Sequence, residues 1–194
     1  MDIIISDTAT PELNKLIDGM RNKRPMMYAA GKAAEKAMKA YYAKLPNNRK
    51  GFPSRGFWVT EGVKKTQLVS YDEHAATIVV DSVAMAHRFY GGTVYPKRAK
   101  ALAIPITAEA YQAASPIRFP RPLTLVVRKN RPPLLIETGI IGQSTAWTIH
   151  YVLLKSVTHK ADKRAMPPDD TIKPAVLAAI ESKIALLLSA GART

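Results

Sequence analysis

The sequence predicts an α+β fold: a mostly antiparallel β-sheet, sandwich- or barrel-like, packed with N-terminal helices and a C-terminal helix. Two observations carry this. Apolar residues recur at helical spacing near both ends of the chain, while the middle alternates apolar and polar residues between Gly, Pro and Asn punctuation. Helices segregated from a run of strands, with no βαβ alternation, belong to the α+β class. At 194 residues, with 47% apolar and 23% charged side chains, the chain suits one domain with a real core. No internal repeat and no long linker divides it, so a single domain over residues 1–194 is expected, with exposed loops near 46–56 and 115–133.

In order, Thr10 can cap a first helix, Pro11 suits its first position, and Leu13, Leu16, Ile17 and Met20 form a stripe. Residues 22–25 interrupt it. A second helix runs to about Leu45, with Ala30, Ala34, Ala37, Met38, Tyr41 and Leu45 inward and Lys32, Glu35, Lys36, Lys39 and Lys44 outward. Pro46 stops it. After the polar loop 47–55, a helical turn over 56–61 puts Phe57 and Trp58 on the core. Residues 66–71 and 75–81 form a hairpin turned at Asp72-Glu73-His74, and residues 82–90 lead to Gly91-Gly92. Leu102, Ile104 and Ile106 share one face of a short strand. Thr107 caps a short helix, and 115–122, rich in Pro and Arg, is extended. Strands over 123–128 and 134–137 flank a turn at 129–133. Residues 146–157 make the most apolar strand, with Trp147, Ile149, Tyr151 and Leu153 on one face. The last helix, about 171–189, carries the stripe Ile172, Val176, Ile180, Ile184 and Leu187, with Asp169 and Asp170 at the positive end of its dipole.

Chemistry is scarce. There is no cysteine, which excludes disulfides and thiolate sites. His74, His87, His150 and His159 show no metal-ligand spacing, so they read as turn and strand-face residues and no metal is expected. Asp169-Asp170 is explained by capping rather than acid–base work. No phosphate loop, nucleophile elbow or acidic cluster supports a nuclease or another enzyme, and no cofactor is implied. The start of the chain lacks a signal-peptide pattern, and no window approaches a membrane span. The protein is expected to be made in the cytoplasm, with no membrane partner.

Charge is the informative feature. Lys and Arg number 29 against 15 acidic residues, a net +14, which calls for a polyanionic neighbour. Lys97, Arg98 and Lys100 follow the Gly91-Gly92 corner; Arg118, Arg121, Arg128, Lys129 and Arg131 decorate the central excursion and its hairpin; Arg49, Lys50 and Arg55 occupy the first loop. Sitting in loops without a recognition helix, zinc finger or RNP motif, they suit contact with a phosphate backbone or an acidic partner, not base readout.

The run Ala86-His87-Arg88-Phe89-Tyr90-Gly91-Gly92-Thr93-Val94-Tyr95-Pro96-Lys97, continuing to Leu102-Ala103-Ile104-Pro105-Ile106, resembles tailed-bacteriophage neck proteins: tail-completion, head–tail joining and minor tail proteins. The Gly-Phe-Trp segment, the strand Ala76-Thr77-Ile78-Val79-Val80, the segment 152–157, and Arg164-Ala165-Met166-Pro167-Pro168 before a closing helix fit it loosely. Residues 115–131 match no such pattern. The resemblance implies a non-enzymatic virion protein forming a ring, commonly a hexamer, between portal and tail tube. Its partners would be copies of itself, a neighbouring tail terminator, head–tail connector or tail tube, and genomic DNA in the lumen. The alternative is a free, sequence-nonspecific nucleic-acid-binding protein.

Overall fold

In a computed structural model of the chain, residues 9–46, 52, 56–141 and 144–191 are described. They confirm an α+β protein built from helices and antiparallel sheets, none closed into a barrel. Contacts group the chain into two compact units. The first comprises residues 1–45, 58–85 and 164–194; the second comprises 46–57 and 86–163.

The first unit holds α1 (Ala9–Arg21), α2 (Arg24–Lys44), a π-helical turn (Trp58–Val63), the hairpin of β1 (Thr66–Tyr71) and β2 (Ala76–Val80), and α5 (Asp169–Gly191). The break between α1 and α2 is shorter than the sequence suggests. Pro25 sits in the first turn of α2, where a missing N–H costs nothing. The core is built around Tyr42, fully buried, whose hydroxyl donates to the Ala165 carbonyl at 3.0 Å. Its ring stacks near-parallel to buried Trp58, with centroids 6.3 Å apart. Gly62 lies against that ring so closely that a Cβ there would sit 2.7 Å from it. The expected inward face of α2 is corrected by one step. Gly31, Glu35 and Tyr42 are buried beside Ala30, Ala34 and Met38, while Ala37, Tyr41 and Leu45 are only half-buried. Gly31 is there because the hairpin packs so close that a Cβ would meet Leu68 and Ala76 at under 3 Å. On α5 the anticipated stripe from Ile172 to Leu187 is the half-buried face, whereas Leu177, Leu186 and Leu188 are exposed.

Glu35, expected on the outer face, is buried, and Lys32 and Lys39 reach it from the turns before and after, at 2.6 and 2.5 Å. Hydrogen bonds from both ammonium groups hold its carboxyl down at about 2. A depressed carboxyl contributes stability above its unfolded value near 4.5, lost as pH falls toward 2. Glu35→Gln is therefore expected to flatten the loss of thermal stability between pH 4.5 and 2, compared with wild type in parallel melts. An unchanged acid limb would show that the pair contributes nothing.

The longer segment of the second unit begins within α3 (Val83–Tyr90), a helix the sequence reading passes over as a lead-in. Its signals are a cap at each end. The Ser82 hydroxyl accepts from the Met85 N–H at 3.1 Å. Gly91, at φ +74°, ends the helix in the left-handed conformation and donates its N–H to the His87 carbonyl at 2.8 Å. Gly92, at φ +134°, opens β3 (Gly92–Val94), which pairs antiparallel with β8 (Val157–His159). The structural corner formed by Gly91 and Gly92 thus joins helix to strand.

The remaining sheet runs β4-β7-β6-β5, all antiparallel: β4 (Leu102–Pro105), β5 (Thr124–Arg128), β6 (Arg131–Ile141) and β7 (Ser144–Leu154). Pro105 is tolerated because β4 is an edge strand. The turn expected over 129–133 contracts to Lys129-Asn130, with Asn130 left-handed at φ +59°. Pro132 and Pro133 lie beside the register shift between Val126 and Arg128, where the ladder demands least of them. The short helix α4 (Ala108–Ala113) is capped by Thr107 as anticipated, and 116–118 form a 3₁₀ turn rather than extended chain. Tyr151 anchors the core: almost fully buried, it packs with Phe119 and Ala110 and donates its hydroxyl to the Ala110 carbonyl at 3.0 Å. The loop over 47–55 lies outside the described residues except for Phe52, whose ring meets Tyr111 edge-on at 5.4 Å.

Candidate functional site

Charge is divided unequally between the two units. The second contains fifteen Lys and Arg but only Glu109, Glu137 and Asp162 as acids, a net +12; the first is left with +2. All three acids are already engaged. Arg88 meets Asp162 at 3.1 Å, and the Arg121 guanidinium lies between Glu109, at 2.7 Å, and Glu137. Two guanidinium groups thus engage all three acids of the unit, leaving its other described cations no acid within it.

The predicted contact residues separate accordingly. Lys97, Arg98 and Lys100 stand exposed on the bend between β3 and β4. Lys97 and Arg98 line an open groove whose floor and far wall are Pro96, Ala99, Ala101, Leu102, Ala103 and 114–116. Arg118 is exposed on the 3₁₀ turn that follows, and Lys129 and Arg131 are exposed at the tip of the β5–β6 hairpin. None of these six makes an ion pair among the described residues. Arg128 donates through Nε and Nη2 to the Pro132 carbonyl, which straps the hairpin at its bulge, and it makes no ion pair among the described residues. Arg121 differs, because its charge is balanced locally. The two carboxylates raise its pKa further, and the Arg121 hydrogen bond in turn holds the Glu137 carboxyl below the usual carboxylate range. Removing Arg121 would leave two carboxylates facing each other, so a variant meant to spare the fold must keep it.

That carboxylate pair belongs to a network sequence reasoning missed. His150, only 3% exposed, shares a hydrogen bond between Nδ1 and the Thr107 hydroxyl (2.9 Å) and faces Glu137 through Nε2 (3.0 Å). Phe119 tilts over its ring, with centroids 4.4 Å apart, and Arg121 lies over Phe119. Glu109, Glu137 and His150 each bring one ligand atom within 4.8 Å of the others. A cation there would have to displace the Arg121 guanidinium. Thr107, His150 and Glu137 also form the string hydroxyl–imidazole–carboxylate used in nucleophilic catalysis. Here, however, the Thr107 oxygen accepts from the Ala110 N–H at 3.2 Å as the cap of α4. Every polar atom of the string has a partner, so it ties α4 to the sheet as a satisfied buried network. The signals, Thr107 before a helix and a lone histidine in an apolar strand, are visible in sequence; their convergence with Glu137 is a matter of strand register. Elsewhere in the unit, His87 and His159 meet edge-on at 5.6 Å.

Among the described residues, no helix is long and apolar enough to cross a membrane. Comparison with protein-family models, curated proteins and solved structures finds no match for the chain.

Proposed function

We propose that this chain is a structural component of a tailed-phage virion, part of an oligomeric neck ring, with sixfold symmetry, that completes the tail and joins it to the head around the DNA path. The observation that carries this reading is the partition of charge. A unit at +12 with its acids neutralised repels itself unless a polyanion is near, and six copies of it would line a DNA-filled channel. The near-neutral helical unit, whose α5 exposes Leu177, Leu186 and Leu188, supplies apolar surface for contacts between copies or with neighbouring tail terminator, connector or tail-tube rings. The resemblance around Gly91-Gly92 points to the same place, and an assembly role needs no catalytic constellation.

The same basic unit also suits a free nucleic-acid-binding protein, and assembly state separates the two. The purified protein is expected to form closed oligomers of uniform size by mass photometry, whatever the salt. A monomer at all concentrations that binds nucleic acid would favour the free protein instead.

A further inference from the structure

We propose that the open groove lined by Lys97 and Arg98 is a contact site for the phosphate backbone of double-stranded nucleic acid, with Lys100 and Arg118 flanking it. The proposal goes beyond the ring reading and does not depend on how many copies assemble. Three features support it. First, Lys97, Arg98 and Lys100 project from one bend and make no ion pair among the described residues. The unit's only acids are already closed onto Arg88 and Arg121, so the field at the groove is not cancelled within the unit.

Second, the groove is built from small residues. Ala99, Ala101, Ala103, Ala114 and Ser115 leave it shallow, so a backbone can approach the cations without displacing bulky side chains. An acidic protein partner would be expected to find a large aromatic or aliphatic anchor point at the centre of such a surface; the groove's largest apolar residue is Leu102. Third, none of the groove's lining residues is aromatic, so the groove itself offers bases nothing to stack upon. Cations on loops, without a helix to enter a groove of the duplex, read phosphates and not bases.

The test uses the full chain and a labelled 20-base-pair duplex of mixed sequence, titrated by fluorescence anisotropy between 50 and 300 mM NaCl. The triple change Lys97→Ala, Arg98→Ala, Lys100→Ala is expected to weaken binding at least tenfold at the low-salt end. It should also reduce the slope of log affinity against log salt by about 2–3, since each lost phosphate contact removes about 0.9. A matched triple in the first unit, Lys36→Ala, Lys44→Ala, Lys64→Ala, removes the same charge from exposed positions and should change affinity less than twofold. The glutamine version of the groove triple, which keeps polarity and much of the aliphatic stem, should behave like the alanine version and melt with wild type. Equal losses from both triples would reduce the effect to bulk charge and overturn the proposal, as would full binding by the groove variant or no duplex binding by wild type. Polyglutamate competing as well as duplex at equal charge would identify an acidic protein as the partner and also overturn it. Ring formation is measured separately. A groove variant that still forms rings but has lost duplex binding supports the site, and a wild type that forms rings but ignores duplex rejects the site while the ring reading stands.

Discussion

Tyr42→Ala is expected to lower the thermal midpoint by about 6–20 °C. Tyr42 is 0% exposed, so the substitution leaves a cavity where its ring met Trp58 and Gly62, and strands the Ala165 carbonyl. Aromatic-to-alanine changes in a packed core cost about 3–5 kcal/mol. At about 2–4 °C per kcal/mol for a chain of this size, that accounts for the shift. Tyr42→Phe keeps the packing and loses only the hydroxyl, so it should cost about 1–2 kcal/mol. Burial pushes the Tyr42 hydroxyl up to about 12. Its ionisation, followed by ultraviolet absorbance, should therefore lag the other tyrosines as pH rises. If Tyr42→Ala and Tyr42→Phe destabilised equally, the ring packing described above would be wrong.

Gly91→Val is the second large effect. At φ +74° any side chain is strained, and a β-branched one severely so. The first added carbon would lie 2.8 Å from the Ala161 nitrogen and the His159 carbonyl oxygen, both backbone atoms, and His159 is paired with Gly92 across β3–β8. Nothing there yields as a flexible side chain would, and a cost of about 3 kcal/mol or more is expected. Gly92→Ala is the graded control. Its φ is also positive, but the nearest contact is the His87 ring at 3.2 Å, which can turn aside. Thermal melts should rank wild type above Gly92→Ala, and Gly92→Ala above Gly91→Val. The reverse order would mean that Gly92, not Gly91, carries the corner.

The fold was legible where local signals agree with tertiary context. Thr107 marks a helix start, Ile172 to Leu187 mark the packed face of α5, and the β1–β2 hairpin announces itself by alternation. Legibility failed where a single cap outweighed a weak pattern. The helix α3 has no clean stripe, yet Ser82 and Gly91 bracket it, and both were available as signals. It failed again where long-range pairing decided. β3 and β8 are three residues each and exist only through one another, and the proline-bearing start of β6 is a strand because β5 lies beside it. On α2 the buried face turned by one residue to include Glu35, which brings its own counter-ions. For the candidate site, sequence supplied the cations but not their bookkeeping. Arg118 and Arg121 look alike in a Pro- and Arg-rich run, and only the approach of Glu109 and Glu137 separates an available charge from a balanced one. The excess of +12 in one unit was likewise invisible until the chain's contacts drew the unit's boundaries through residues 46–57 and 86–163.

The central claim, that this basic chain is an assembly component of a phage neck and not a free binder, is tested most directly by negative-stain imaging of the purified protein and of assembled particles. The account predicts closed rings in the first, and in the second the protein as an integral part of the head–tail junction. A monodisperse monomer absent from the particles would contradict it.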